Sequence, residues 1–290
     1  FPRAHEGGLS GAMWSITTNP LRSKAGRWLA FQRNLDDLQA LCRTDPSRVR
    51  IARTLAEYRA ARAAGAHACL PAIQGGNAID GAPDGAASIR DRMITRITLV
   101  HLSNSQLGVT SSPAAGGRRE QGLSPAGRAL VEEMDRQRIF VDLAHINRAG
   151  FWDAVGCHDP SLPLLATHTG VTGVLDHWRN LDDRQLVAIA DTGGVVGIIF
   201  EPSFLRARGA GQDCEMVLDH LAHVIAVAGE QAAGIGSDFD GAIRPPPDLR
   251  QGATAYGHLV QAMLRRGWRS ERIQAIMGGN FLRAFGEMRS

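Results

Sequence analysis

Three apolar runs of this chain each end in a residue of a type that binds metal ions. The runs are 139–145, ending in His145; 164–168, ending in His168; and 233–238, ending in Asp238. Continuous apolar runs are typical of parallel strands that are buried on both faces. In a β/α barrel the catalytic groups lie at the carboxyl ends of such strands. The pattern therefore predicts a hydrolytic metal site built from two histidines and an aspartate.

Strand-like and helix-like segments alternate along the whole chain, which predicts a parallel α/β fold. The predicted strands are 12–17, 68–73, 97–102, 139–145, 164–168, 195–200 and 233–237. The predicted helices are 27–41, 48–64, 124–137, 181–192, 212–228, 254–266 and 270–277. Seven strands are one short of a closed barrel, and the missing strand is expected at the amino-terminal end.

Local signals place several helix ends and two long loops. Ser124 followed by Pro125 is typical of a helix start, Asn180 is expected to cap the helix over 181–192, and that helix is expected to stop at Gly193. Loops 75–90 and 104–122 follow predicted strands, so we expect them to line the pocket.

Composition limits the classes of function. The chain has 290 residues, 44% hydrophobic and 21% charged, which fits one barrel domain over 1–290. Net charge is +3, and no basic run is interleaved with aromatic residues, so we expect no nucleic-acid partner. No run of 18 apolar residues and no signal peptide are found, which predicts a cytoplasmic protein without a membrane span.

Each candidate residue also has a structural interpretation. His145 and His168 can be hydrogen-bonded histidines at strand ends, but two such residues together favour metal ligands. Asp238 can bind metal, move a proton as an acid and base, or be a turn aspartate. His101 ends another apolar run and can polarise a substrate carbonyl. Arg179 can hold a carboxylate with two hydrogen bonds, although a surface ion pair is the simpler interpretation of it alone.

The chain resembles the membrane (renal) dipeptidase family of zinc peptidases. The matching segments are 7–15 (GGLSGAMWS), 73–78 (IQGGNA), 141–145 (VDLAH), 166–168 (ATH), 178–181 (WRNL), 193–197 (GGVVG), 234–241 (GIGSDFDG) and 278–282 (GGNFL). They follow the family order from end to end. The sequence contains no H-E-x-x-H, no G-x-S-x-G, no P-loop and no G-x-G-x-x-G after a strand.

The resemblance implies a (β/α)8 TIM-type barrel with a binuclear zinc site that cleaves dipeptides, in a homodimer. Family metal ligands match His145 and His168. Asp238 matches an aspartate that binds metal and moves protons. His101 and Arg179 match residues that contact the substrate.

Two departures from the family pattern bear on the metal. The His-x-Asp pair of the family's first strand does not occur here; because the chain begins at Phe1, we expect a segment upstream. The bridging glutamate of the family falls at Gln74, and the histidine three residues later is Asn77, which we expect to contact substrate. A neutral Gln74 cannot offset the repulsion between two dications. We therefore expect one zinc ion, held by His145 and His168 with Gln74 or Asp238. Two ions would require an upstream His-x-Asp, and zinc can also be absent.

Three functions remain open, and the first is favoured. It is a metal-dependent dipeptidase in which His101 stabilises the oxyanion, Asp238 moves the proton and Arg179 holds the substrate carboxylate. The second is a catalytically impaired, dipeptidase-like binding protein, which Gln74 favours. The third is a hydrolase of a related small amide or lactone.

Overall fold

The computed structural model describes residues 2–207, 209, 211 and 213–290, and these contain eight β-strands and eleven α-helices. The strands are β1 Gly11–Thr17, β2 Val49–Ile51, β3 His67–Gln74, β4 Arg96–Thr98, β5 Phe140–Asp142, β6 Leu165–Thr169, β7 Val195–Ile198 and β8 Ala233–Ile235. The helices are α1 Pro2–Glu6, α2 Lys24–Thr44, α3 Leu55–Ala63, α4 Pro125–Arg136, α5 Arg148–Cys157, α6 Asp183–Asp191, α7 Pro202–Leu205, α8 Glu215–Ala228, α9 Tyr256–Arg265, α10 Ser270–Gln274 and α11 Asn280–Met288.

The chain divides into two compact units. The first unit comprises residues 10–162 and 285–290, and the second comprises residues 2–9 and 163–284. In the first unit β1, β3, β4 and β5 are neighbours in that order, all parallel, and β2 pairs with the beginning of β3. In the second unit β6, β7 and β8 are parallel neighbours. The single-domain organisation expected over 1–290 stays a prediction.

Strand β3 shows why the apolar runs become strands. Its residues are buried except for Gln74 at the carboxyl end. A parallel strand that is covered on both faces needs this continuous pattern. Cys69 packs there against Cys42 of α2 and Val49 of β2, so the core forms between the sheet and its helices. The polar end of β3 is thus the only part of the strand that is available for chemistry.

Two of the predicted helix ends are confirmed and one is wrong. The Ser124 side chain accepts a hydrogen bond from the Gly127 backbone at the start of α4, and Gly193 takes a φ of 73° after α6. Helix α6 is capped by Asp182 rather than by Asn180. Asp182 and Gln185 form a reciprocal capping box, which satisfies two backbone N–H groups and so outcompetes the expected cap.

Three further helix predictions differ from the structure, and strand pairing explains the first of them. The helix expected over 48–64 is divided, because Val49–Ile51 pairs with β3 as an eighth strand and α3 begins only after Thr54. Helix α5 was not predicted; the Asn147 side chain caps it by accepting from Gly150. Of the helix expected over 212–228, Gln212 lies outside the described residues, and α8 begins at Glu215.

The long loops after β3 and β4 contain short 3-10 turns, among them Gly76–Ile79 and Pro113–Arg118. Among the described residues, no helix is both long and apolar enough to cross a bilayer.

Candidate active site

The first unit places three predicted site residues at the carboxyl edge of its sheet. Gln74 is the last residue of β3, while His101 and His145 each follow the end of their strand by three residues. Both histidines were expected on the strands themselves, so the predicted strands 97–102 and 139–145 are too long. Parallel pairing of β3, β4 and β5 brings all three residues to the same edge.

Gln74, His101 and His145 form a contiguous half-buried cluster. The Gln74 Nε2 lies 3.0 Å from His101 Nε2, and the rings of His101 and His145 meet edge to face with centroids 4.7 Å apart. An amide nitrogen can only donate, so His101 Nε2 accepts and the ring proton is on Nδ1. In this tautomer His101 would donate to a substrate oxygen through Nδ1.

A buried polar network holds His145 in place. His145 has a φ of 66°, a conformation that costs energy for a residue other than glycine. Its carbonyl accepts a hydrogen bond from the Ser111 backbone at 2.7 Å. Asp142 Oδ1 accepts from the Ala144 backbone at 3.1 Å, which shapes the turn that leads to His145.

The charge of Asp142 is balanced inside the first unit. Asp142 Oδ2 accepts from the Thr98 hydroxyl at 2.6 Å and lies 3.3 Å from Arg96 Nη1, and all three residues are buried. Sequence reasoning missed this network. Asp142 inside an apolar run could have indicated such a network, because a buried carboxylate requires a cation or hydrogen-bond donors nearby.

Asn77 lies beside the same cluster. A Cβ placed on Gly75, which has a φ of 96°, would lie 2.9 Å from Asn77 Oδ1 and 3.3 Å from the His101 Cβ. The Asn77 carbonyl accepts from Arg27 Nε at 2.9 Å, and Arg27 also forms a buried ion pair with Asp80 at 2.6 Å. Arg27, which the sequence did not single out, therefore fixes the turn that carries Asn77.

In the second unit, His168 lies near the end of β6 and is 4% exposed. The pairing of β6 with β7 shifts in register from Ala166 to Thr169. An irregularity of this kind changes the direction of side chains at a strand end. A Cβ on Gly236 would lie only 1.9 Å from the Thr167 carbonyl oxygen, so only glycine allows β8 to approach β6 here.

The Thr167 hydroxyl orients the His168 ring. Thr167 Oγ1 lies 2.8 Å from His168 Nδ1. An Nδ1–H that donates to this hydroxyl places the imidazole lone pair on Nε2, the form that binds a metal ion. Outer contacts of this kind fix both the tautomer and the orientation of metal-binding histidines.

Replacing Thr167 with valine is therefore expected to weaken zinc binding by about 10- to 100-fold, the usual effect of losing an outer hydrogen bond to a metal-binding histidine. Competition for zinc against a chromophoric chelator measures the affinity. Thr167→Ser keeps the hydroxyl and should retain the wild-type affinity. Equal affinities for Thr167→Val and the wild type would show that His168 is not oriented through Nδ1.

Arg179 is 3% exposed and is tied to the backbone of β6. Its Nη2 donates to the His168 carbonyl at 2.7 Å, and its own carbonyl accepts from the Thr169 hydroxyl at 3.1 Å. The surface ion pair that was the simpler interpretation of Arg179 is therefore wrong. Its contact with a substrate carboxylate stays a prediction.

Asp238 begins a tight turn that follows β8. It is half-buried with a φ of 56°, and its carbonyl accepts from the Gly241 backbone at 3.1 Å. Phe239 packs against Phe200 and Tyr256, with ring centroids 5.4 and 5.8 Å away. The turn is therefore held from one side by aromatic packing. Binding of metal and transfer of protons by Asp238 stay predictions.

The donor types of these residues are suited in part to zinc. His145, His168 and Asp238 supply imidazole and carboxylate donors that zinc prefers. Gln74 is neutral and bonded to His101, so it does not fit the role of a bridging anion. Across the residues that the structure describes, no group of three or more His, Cys, Asp or Glu side chains is arranged to hold a metal ion.

The chain as a whole matches one protein family. The family is described as membrane dipeptidase, peptidase family M19, and the match covers residues 1–290. This chain belongs to the M19 membrane dipeptidase family. The resemblance seen in the sequence motifs is thereby confirmed.

Two uncharacterized dipeptidases of Schizosaccharomyces pombe are both 32% identical to the chain, over 191 and 215 residues. These matches cover 65% and 73% of this chain but 45% and 51% of the relatives. The chain thus spans about half the length of the curated relatives that it matches.

Solved structures of the family have the same fold. The metallopeptidase dipeptidase AC of family M19 is 30% identical with a TM-score of 0.89, covering 99% of this chain and 88% of its own. A metallopeptidase of Rhodobacter sphaeroides, bound to a phosphinate mimic of the dipeptide L-Ala-D-Ala, is 29% identical with a TM-score of 0.88, covering 99% and 89%. The predicted fold class, an α/β fold of the TIM type, is confirmed by this similarity.

Proposed function

We propose that the chain is a metal-dependent dipeptidase that hydrolyses the peptide bond of dipeptides. The observation that carries this proposal is the position of His101 and His145 with Gln74 at one carboxyl sheet edge, in a chain of the M19 family. The Rhodobacter sphaeroides relative binds a dipeptide mimic, which supports the same substrate class here.

His145, His168, Asp238 and Gln74 are the residues that we propose as zinc ligands of this chain, and one ion is expected because Gln74 is neutral. When bound, zinc lowers the pKa of a water molecule and polarises the peptide carbonyl. Asp238 would take the proton of the attacking water and pass it to the leaving amine. His101 would donate to the oxyanion, while Arg179 and Asn77 would orient the substrate.

Gln74 favours a second candidate, a dipeptidase-like binding protein with impaired catalysis. A neutral side chain at the bridging position binds metal less firmly than a carboxylate. A hydrolase of another small amide or lactone would use the same residues and differ in the loops. The homodimer and the cytoplasmic location stay predictions.

Elemental analysis of the full-length protein, combined with an assay on a panel of dipeptides, tests the proposal. We expect about one zinc per chain, measurable hydrolysis, and loss of both in His145→Ala. A protein that takes up zinc but releases no amino acid from any dipeptide would favour the binding protein. A protein that takes up no zinc even when it is supplied would exclude the metallopeptidase.

A further inference from the structure

Three aromatic rings gather in the second unit where β6 and β7 end. His177 and Trp178 lie on the segment that follows β6, and Phe204 lies in α7, which follows β7. The His177 ring stacks on Phe204 with centroids 4.8 Å apart and an interplanar angle of 27°. Trp178 lies 4.9 Å from His177 and 5.8 Å from Phe204. We call these three residues the aromatic platform.

The aromatic platform presents apolar surface to solvent. Trp178 is 43% exposed, and Val174, four residues earlier in the sequence, is 38% exposed. Burial, followed by the nearby Arg179 cation, lowers the pKa of His177, which keeps its ring neutral. A large exposed aromatic residue that packs on two further rings offers stacking area at little cost in entropy.

Hydrogen bonds of Asn180 connect the segments that carry the aromatic platform to the end of β6. The Asn180 amide donates to the Leu175 carbonyl at 2.9 Å and to the Phe204 carbonyl at 2.7 Å. Its oxygen accepts from the Gly170 backbone at 3.1 Å. These bonds tie both loops of the platform to the end of β6, two residues after His168.

We propose that the aromatic platform is a specificity subsite that binds an aromatic side chain of the dipeptide substrate, with Trp178 as the contact residue. The proposal rests on the dipeptidase function proposed above. It follows from three features. The rings come from the segments that follow β6 and β7, Asn180 bonds these segments to the end of β6, and Trp178 is exposed to solvent. Because carboxyl strand ends build the substrate pocket in this fold class, a substrate side chain is the occupant that this position favours.

A protein partner fits the platform less well. A stable protein interface buries roughly 800 Å² on each side, spread over about 20 to 30 residues. The aromatic platform consists of three residues, far fewer than such an interface uses. The platform therefore matches one aromatic group of a small substrate in size as well as in chemistry.

The test compares kcat/KM for L-Ala-L-Phe and L-Phe-L-Ala with that for L-Ala-L-Ala. We expect the wild type to prefer one of the two Phe-containing dipeptides. In Trp178→Ala that preference, taken as the ratio to L-Ala-L-Ala, should fall about tenfold, the scale of losing one apolar pocket contact. Trp178→Phe should restore most of the ratio. Trp152→Ala removes a tryptophan that is 36% exposed on α5 and should leave the ratio unchanged.

An unchanged kcat/KM ratio in Trp178→Ala would overturn the subsite. A change in the oligomeric state of Trp178→Ala, measured by light scattering, would also overturn it, because it would show that Trp178 lies in an interface between copies of the chain. If the wild type hydrolyses no dipeptide, the proposed function fails, and the subsite is judged by calorimetry with a phosphinate mimic of L-Ala-L-Phe. Binding that weakens about tenfold in Trp178→Ala supports the subsite. Equal binding, or none, overturns it.

Discussion

Replacing Gln74 with glutamate is expected to raise the zinc affinity of this chain by at least about 100-fold and to raise dipeptide hydrolysis with it. A unit-charge pair 4 Å apart gains about 4 kcal/mol at an effective dielectric of 20, and a dication gains more. A 100-fold change in affinity requires only about 2.8 kcal/mol. The added charge is therefore sufficient even after a substantial cost of burying the carboxylate.

The same substitution changes the hydrogen bond to His101. The Gln74 amide donates to His101 Nε2, whereas a glutamate at this position can only accept. His101 would then carry a proton on Nε2. Gln74→Glu thus alters both the charge at the candidate metal site and the tautomer of the residue expected to stabilise the oxyanion.

Zinc affinity from chelator competition and kcat/KM for a dipeptide should be measured on the same preparations. Gln251→Glu adds an equal charge at an exposed position of the second unit and should change neither. An unchanged zinc affinity in Gln74→Glu would mean that this side chain does not face a bound metal. Raised affinity without hydrolysis would favour the binding protein.

The parts of the site that the sequence predicted are those encoded locally. A continuous apolar run followed by His145 or His168 carries both the strand and the ligand type in a few residues. The same local signal misplaced the strand ends, because apolar residues continue past the last paired residue. Strand β4 stops at Thr98, while the apolar run continues to Leu102.

The parts that the sequence did not predict depend on residues far apart in the chain. Arg27 reaches the turn at Asn77 from α2, and Arg96 balances Asp142 from a neighbouring strand. No spacing rule connects such pairs. Strand β2 was not predicted for a related reason: its three residues form a strand only because they pair with β3.

Arg289, the penultimate residue of the sequence, forms an unusual buried contact in the first unit. It is 1% exposed, and its guanidinium donates to four backbone carbonyls rather than to a carboxylate. The bonds reach Arg138 at 2.5 Å, Ile94 at 2.6 Å, Arg92 at 2.7 Å and Arg53 at 3.4 Å. Burial, followed by the charges of Arg92 and Arg53, lowers the pKa of Arg289 to about 10, so the group stays charged at neutral pH.

Two of the four carbonyls belong to residues in the left-handed backbone region. Arg92 has a φ of 51° and Arg138 a φ of 56°. Such conformations persist in residues other than glycine only when the surroundings stabilise them. The Arg289 side chain provides that stabilisation, because its planar fork of donors matches carbonyls that these turns direct toward it.

Replacing Arg289 with methionine is therefore expected to lower the free energy of unfolding by about 3 kcal/mol or more. The change removes the donors of one buried and three partly buried carbonyls, and an unsatisfied buried group costs about 1 to 3 kcal/mol. Removal of the buried charge offsets part of this loss. Urea denaturation followed by circular dichroism measures the difference at neutral pH.

Two further variants make the result decisive. Arg289→Lys keeps the charge but has too few donors for four carbonyls. Its free energy of unfolding should therefore fall by less than that of Arg289→Met. This decrease can still be measured if Arg289→Met does not fold. Arg265→Met removes an arginine whose side chain is 65% exposed and should change stability by no more than about 0.5 kcal/mol. A stability of Arg289→Met within that same margin would show that the four carbonyls find other donors and that the turns at Arg92 and Arg138 do not depend on Arg289.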